Sequence, residues 1–204
     1  MLLRKPIEIC VLTLCILLSV AVVYAQSNGK GMDAEKAAKV KAGLVYHMSE
    51  LTQWPEHIFE QDTTPLTICV LGKDPYGFAD YFRSQSANFT VQGRSFVVRK
   101  LSFQSVGKGK GEIAPALKKS IRECNVLFVT AAETRHFAQI LGAIGESGVL
   151  TVGETKAFST AGGMVSFVID KSMVKIYVNL RALNEGRIHT SSEFLRHALI
   201  VEGK

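Results

Sequence analysis

Short apolar runs alternate with stretches of helical period along most of this chain. The first run, Leu66–Leu71, is rich in β-branched residues and lacks the polar alternation of a half-exposed strand. It is therefore predicted to be a strand buried on both faces. Pro65 opens the run, and a turn through Gly72 and Pro75 closes it. Two later runs, 125–130 and 149–152, are predicted to be strands of the same buried kind.

Helical spacing fills the segments between these strands. In 33–53, Asp33 stands where a helix N-cap belongs, and Val40, Leu44, Met48 and Leu51 recur along one stripe. Strands that alternate with helices over connections of this length predict a parallel sheet with right-handed crossovers. The other helices of this part of the chain are predicted at 75–86, 113–123 and 131–146.

The pattern changes after residue 160, where two β-rich runs flank a short polar turn. The runs 164–169 and 174–178, joined through 170–172, predict an antiparallel hairpin. A last helix is predicted from Ser191 or Ser192, with Leu195 and Leu199 docking on the core. The predicted fold class is α/β. It is a single three-layer domain whose mostly parallel sheet is Rossmann-like or flavodoxin-like, with the C-terminal hairpin at one edge and helices on both faces.

The amino terminus has the pattern of a secretory signal peptide. Arg4 and Lys5 precede a nearly continuous apolar stretch, and Ala25 ends a segment that offers a cleavage site. The alternative is a retained membrane anchor, but the apolar stretch is shorter than the ~20 residues of a spanning helix. We therefore predict a signal peptide over 1–25 that is cleaved near Ala25, a flexible mature N-terminus over 26–34 and one domain over 35–204.

Export affects how the charge and the cysteines are interpreted. The formal net charge of +6 is spread along the chain without interleaved aromatic residues, so a nucleic-acid partner is not expected. Cys10 and Cys15 lie in the predicted leader, which leaves Cys69 and Cys124 in the mature protein. Two cysteines in an oxidising compartment suggest one disulfide, and the alternative is two buried free thiols.

Motifs for catalysis or metal binding are missing from the sequence. There is no Gly-x-Ser-x-Gly elbow, the histidines lack ligand spacing, and Cys69 and Cys124 do not form a Cys-x-x-Cys pair. The glycine-rich, basic segment 105–111 lacks the ending of a P-loop and is interpreted as a mobile, solvated loop. We therefore expect no enzyme activity, no metal and no cofactor.

Binding residues are predicted at the carboxyl ends of the strands, where doubly wound sheets hold ligands. Lys73, Asp74, Glu133 and Glu154 follow the predicted strands and form a candidate rim for a ligand or partner. The alternative is that they belong to ordinary turns and helix caps. Trp54, at the end of the first helix, is either a core or lid residue or a contact for a partner.

Several blocks of sequence resemble one known family in the family's order. The C-terminal blocks are 162–167, Asn179-Leu180, Ala182 and 191–195, and the earlier ones are Lys41-Ala42, Tyr46, Trp54-Pro55, 68–77, 124–129 and 149–154. Together they resemble the YfiR/HmsC-like family of small periplasmic proteins over nearly all of the predicted mature chain. His47-Met48 depart from the Asn-Phe that is common at that place in the family.

The resemblance implies a periplasmic regulator that binds and represses the periplasmic sensor domain of an inner-membrane diguanylate cyclase. Release of the cyclase would raise cyclic-di-GMP and favour biofilm. The family pattern also includes the two cysteines that match Cys69 and Cys124, which strengthens the predicted disulfide. The alternative function is a periplasmic receptor for a small ligand that relays to a membrane sensor kinase. The mature chain is not expected to span the membrane, and a homodimer is plausible.

Overall fold

A computed structural model describes residues 32–106, 112–145 and 147–203 of the chain. The predicted leader and residues 107–111 of the glycine-rich segment 105–111 therefore lie outside the described residues, and the predicted flexible N-terminus is described only from Met32. The α-helices are α1 (Ala34–Glu50), α2 (Phe78–Gln85), α3 (Pro115–Arg122), α4 (Phe137–Ile144), α5 (Lys156–Thr160), α6 (Leu180–Glu185) and α7 (Ser192–Leu195). The strands are β1 (Thr52–Gln53), β2 (Leu66–Leu71), β3 (Phe96–Leu101), β4 (Val126–Val129), β5 (Leu150–Gly153), β6 (Val165–Asp170), β7 (Met173–Val178), β8 (His189–Thr190) and β9 (Ala198–Ile200). Two 3₁₀ helices cover Glu56–Ile58 and Ala131–His136.

The predicted α/β fold class is confirmed by a seven-stranded, mostly parallel sheet in the order β3-β2-β4-β5-β6-β7-β9. The strands from β3 to β6 in this order run parallel, β7 is antiparallel to β6, and β9 is parallel to β7. The chain leaves β2 for β3 on one side and returns to β4 on the other. The connections after β2 and β4 therefore diverge and open a crevice beyond the carboxyl ends of these strands.

Helices cover both faces of the sheet because successive strand residues point to opposite sides. In β2, Ile68 and Val70 belong to one hydrophobic cluster with α1 and α2. Cys69 and Leu71 belong to a second cluster with α3 and α4. All six residues of β2 are buried, as expected for a central strand enclosed by helices on both sides.

The first helix begins as predicted, and its buried stripe is partly the predicted one. Asp33 caps α1 by accepting a hydrogen bond from the Lys36 amide at 2.8 Å. Of the predicted residues, Met48 is fully buried and Leu44 and Leu51 pack half-buried against the core, but the other buried positions are mainly small residues that were not predicted. Small side chains bring α1 close to the sheet and leave space at the start of the helix. The buried residues are Ala37, Ala38, Ala42, Val45, Met48 and Ser49.

The hairpin is present, with Asp170 paired to Met173 at its turn. A further strand, β9, lies outside it and pairs with β7. The predicted docking of Leu199 was wrong, since Leu199 is 49% exposed on this edge strand. The last helix is only Ser192–Leu195, and the short apolar run that follows it continues as strand rather than helix.

Cys69 and Cys124 are joined by a disulfide across a Cα–Cα distance of 5.9 Å, which fits the predicted pairing. Cys69 lies in β2, and Cys124 directly precedes β4. Backbone and side-chain hydrogen bonds between Thr67 and Asn125 hold the same two segments side by side. The bridge therefore links the two strands that flank the crevice, on the face of the sheet that α3 and α4 cover.

Candidate functional site

A cleft of about 570 Å³ opens beyond the carboxyl ends of β2, β4 and β5. This is where the order of the sheet reverses and where doubly wound proteins commonly bind ligands. The wall from α1 consists of small side chains, and Phe78 and Phe128 stack at 4.0 Å between ring centroids beneath it. The residues that line the cleft are Met32, Ala34, Ala37, Ala38, Lys41, Lys73, Asp74, Pro75, Tyr76, Phe78, Phe128, Thr130, Ala131, Ala132, Glu154, Val168 and Ile169.

The cleft is bounded on one side by the hairpin. The Met32 amide donates to the Lys171 carbonyl at 3.0 Å, which ties the start of α1 to the turn between β6 and β7. Lys171 has a positive φ of 57°, as the tight two-residue turn requires. Strand β6 lines the cleft through Val168 and Ile169, on the side opposite to the β2 turn.

Glu154 lies in the cleft, but both of its carboxylate oxygens have partners. One accepts from Lys41 Nζ at 2.6 Å, and the other accepts from the Ala131 amide at 2.8 Å. The side chains of Lys41 and Glu154 are only 12% and 22% exposed. Glu154 therefore connects α1 to the segment after β4. Lys41 also belongs to the site, but it lies on α1 and not at the carboxyl end of a strand, so the sequence argument did not predict it.

Asp74 and Lys73 follow β2 and line the same cleft, with different roles. The Asp74 carboxylate accepts from the amides of Phe78 and Ala79 at 2.9 and 2.8 Å, so it caps the start of α2. Lys73 is exposed, and within the part of the chain that the structure describes it has no acidic partner. The predicted rim thus contributes one uncommitted charged side chain to the cleft, that of Lys73.

Glu133 lies apart from the cleft. It is 8% exposed, and its carboxylate contacts His136 Nδ1 at 2.7 Å. The His136 ring stacks on Phe103 at 3.7 Å between centroids. Glu133 also packs against Gly72, whose φ of +108° and close neighbours leave no room for a side chain. Glu133 therefore supports the turn after β2 and does not line the cleft.

Trp54 lies near the opposite end of the sheet, away from the other predicted site residues. Its ring meets Phe59 edge-on at 6.0 Å and packs against the core. It lines a second cavity, of about 690 Å³, together with Glu50, Gln92 and Arg94. The indole Nε1 is buried and has no hydrogen-bond partner among the residues that the structure describes.

Groups that could assemble a metal site were sought in the described ranges 32–106, 112–145 and 147–203. These ranges contain no cluster of three or more His, Cys, Asp or Glu side chains that could hold a metal ion. In the same ranges, no helix is long and apolar enough to cross a membrane.

Comparison with known proteins gives one family match and similarities of fold. A family model described as YfiR/HmsC-like matches residues 38–198. No curated protein matches the chain. The matched residues include the disulfide, the hairpin and all the residues that line the cleft except Met32, Ala34 and Ala37.

Two solved structures share the fold at low identity. The ABC domain from Streptococcus pneumoniae in complex with L-Trp is 15% identical with a TM-score of 0.57, over 80% of this chain and 60% of that chain. A conserved domain protein from Vibrio cholerae O1 biovar eltor is 8% identical with a TM-score of 0.56, over 80% of this chain and 59% of that one. The chain thus spans about 60% of the length of these structures, and the likeness concerns the fold alone.

Proposed function

The chain belongs to the YfiR/HmsC-like family, whose members are periplasmic regulators of cyclic-di-GMP signalling, and we propose that it represses a membrane-anchored diguanylate cyclase by binding the cyclase's periplasmic domain. The family match over residues 38–198 carries this proposal. Binding to one conformation of the sensor domain would shift the population of the cyclase toward its inactive state. The chain would act by mass action rather than by turnover.

Expression of the cyclase with and without this chain tests the proposal. The cyclase to use is the one encoded beside its gene, and we expect cellular cyclic-di-GMP to fall when the chain is exported. The matched control lacks residues 1–25, so the predicted leader is absent and the protein should stay in the cytoplasm without repressing. Equal cyclic-di-GMP with the exported and leaderless forms would contradict the proposal, as would failure of the exported form to co-purify with the periplasmic domain.

Trp54 supplies a second, local test of the same interaction. Trp54→Phe keeps an aromatic ring against Phe59 but removes contact area, so we expect weaker binding with a nearly unchanged melting temperature. Tyr76→Ala is the control, because Tyr76 is 57% exposed at the cleft end of the molecule. Loss of binding in Tyr76→Ala but not in Trp54→Phe would place the contact at the cleft and not at Trp54.

The cleft favours a second candidate function, a receptor for a small ligand that relays to a membrane sensor. Its volume of about 570 Å³ falls within the range of ordinary ligand pockets, roughly 300–1,000 Å³. The two candidate functions could belong to one protein. A ligand that binds the free chain and the cyclase-bound chain with different affinities would change the extent of repression.

A further inference from the structure

Among the described residues, the two cationic side chains of the cleft keep donors without an acceptor, whereas every oxygen of its two carboxylates already accepts a hydrogen bond. Asp74 is occupied by two amides of α2, and Glu154 is occupied by Lys41 and the Ala131 amide. The Lys41 ammonium has three N–H donors, and among the described residues only one of them has an acceptor, Glu154. Lys73 has none. A ligand that completes these hydrogen bonds must bring an acceptor, and an anionic acceptor binds best.

The type of anion follows from the backbone amides. Phosphate sites at strand ends rely on free N–H groups at a helix start. Here the amides of Phe78, Ala79 and Ala131 already donate to Asp74 and Glu154, so a ligand cannot use these three amides without displacing a carboxylate. The charged donors that remain are the two lysine side chains, and they suffice for a single carboxylate, which needs fewer donors than a polyphosphate.

The shape and polarity of the rest of the ligand are inferred from the walls of the cleft. Ala34, Ala37 and Ala38 form one side, and Val168 and Ile169 lie on the hairpin side. Alanine side chains on one wall and strand β6 on the other leave a slot suited to a flat or slender apolar body. Burial of such a body against these walls would supply most of the affinity.

We propose that the cleft binds a small organic carboxylate with a flat apolar body, its carboxylate held by Lys73 and by the free donors of Lys41. This deepens the receptor candidate and rests on it. Direct binding to the purified chain tests it independently of any cyclase, so its failure would leave the repression proposal untouched.

The test is isothermal titration of the purified mature chain with three probes of one shape. They are 2-naphthylacetate, the neutral 2-naphthylacetamide and the cationic 2-(2-naphthyl)ethylamine. We expect the carboxylate to bind about fivefold more tightly than the amide, with the amine weakest, as an ion pair at a partly exposed site allows. Equal affinity for the three probes, tightest binding of the amine, or no binding of the carboxylate at millimolar concentration would overturn the proposal.

Variants locate the site. Lys73→Met should weaken the carboxylate by a few fold and leave the amide unchanged, whereas Lys36→Met, an exposed position on α1 outside the cleft, should change neither. Ala34→Trp places a large ring at an exposed position of the cleft wall and should abolish binding of both probes without lowering the melting temperature. Unchanged binding in Ala34→Trp, or an equal loss in Lys73→Met and Lys36→Met, would place the ligand elsewhere.

Discussion

Removal of the disulfide is the perturbation whose size follows most directly from the structure. Cys69 and Cys124 are 0% and 3% exposed and lie 55 positions apart. The bridge therefore closes a long loop that contains α2, β3 and α3. Reduction of the wild-type protein opens this loop and keeps both sulfur atoms in the core. The Cys69→Ala/Cys124→Ala variant opens it and also removes their volume.

The chain-entropy relation gives about 4 kcal/mol at 25 °C for a loop of this separation. A change of 1 kcal/mol moves the melting temperature of a domain of this size by about 2–4 °C, so reduction should lower it by roughly 8–16 °C. The double-alanine variant should lose somewhat more, because two buried side chains become smaller. The unfolded chain also becomes more extended without the bridge, so the denaturant m-value should rise.

Urea unfolding of the oxidised, reduced and double-alanine proteins measures the free energy of unfolding and the m-value, and thermal unfolding measures the melting temperature. Thiol titration of the unfolded oxidised protein should find no free thiol. Binding of 2-naphthylacetate at 25 °C should survive reduction, because the bridge packs on the α3 and α4 face of the sheet, whereas the apolar floor of the cleft belongs to the α1 and α2 face. Free thiols in the oxidised protein, or equal stability of the oxidised and reduced forms, would refute the reasoning.

Two further predictions concern single residues outside the cleft. Gly72→Ala should lower the free energy of unfolding by about 2–3 kcal/mol, because a side chain at φ +108° is strained and meets Glu133. Gly43→Ala, in open space on α1, should raise the free energy of unfolding by about 0.5–1 kcal/mol. Chemical denaturation measures both changes, and equal effects of the two substitutions would contradict the argument. The hydrogen bond and charge of Lys175 lower the pKa of Asp170, so the stability from this pair is present above the ordinary Asp pKa and is lost as the pH falls through the lowered one. As the pH is lowered through this range, the free energy of unfolding should therefore fall less steeply in Asp170→Asn than in the wild type. A steeper fall in the variant would show that the pair does not stabilise the protein above this range.

The central strands of the sheet were predictable because their determinants are local. The central run Leu66–Leu71 is apolar at nearly every position, and its strand bounds match the structure. Asn179 and Gly186 bound a short helix that the turn chemistry indicates, and Asn179 does cap it through the Ala182 amide. In such segments, propensity, turn residues and burial agree, so the sequence specifies one local structure.

The buried face of α1 was not predictable in the same way. Large apolar residues usually mark the buried side of a helix, so Val40 and Leu44 indicated a stripe that is only half-buried. The sheet instead receives Ala38 and Ala42, whose small size allows close approach but gives a weak hydrophobic signal. The same lack of volume leaves the cleft open at Ala34 and Ala37. A cavity made by small side chains has no sequence pattern of its own.

The charge expected of the ligand shows most clearly what the structure adds to the sequence. By sequence, the predicted rim has three carboxylates, of Asp74, Glu133 and Glu154, and one ammonium, of Lys73, a set that favours a cation. In the fold, Asp74 is a helix cap, Glu133 faces His136, and Glu154 is shared between α1 and the segment after β4. Lys41, 113 positions before Glu154, then supplies donors that nothing in the local sequence connects to the rim. Because the two cleft carboxylates already accept hydrogen bonds from internal donors, the groups left to hold a ligand are the donors of Lys73 and Lys41, and the cleft is suited to a ligand that brings an anionic acceptor.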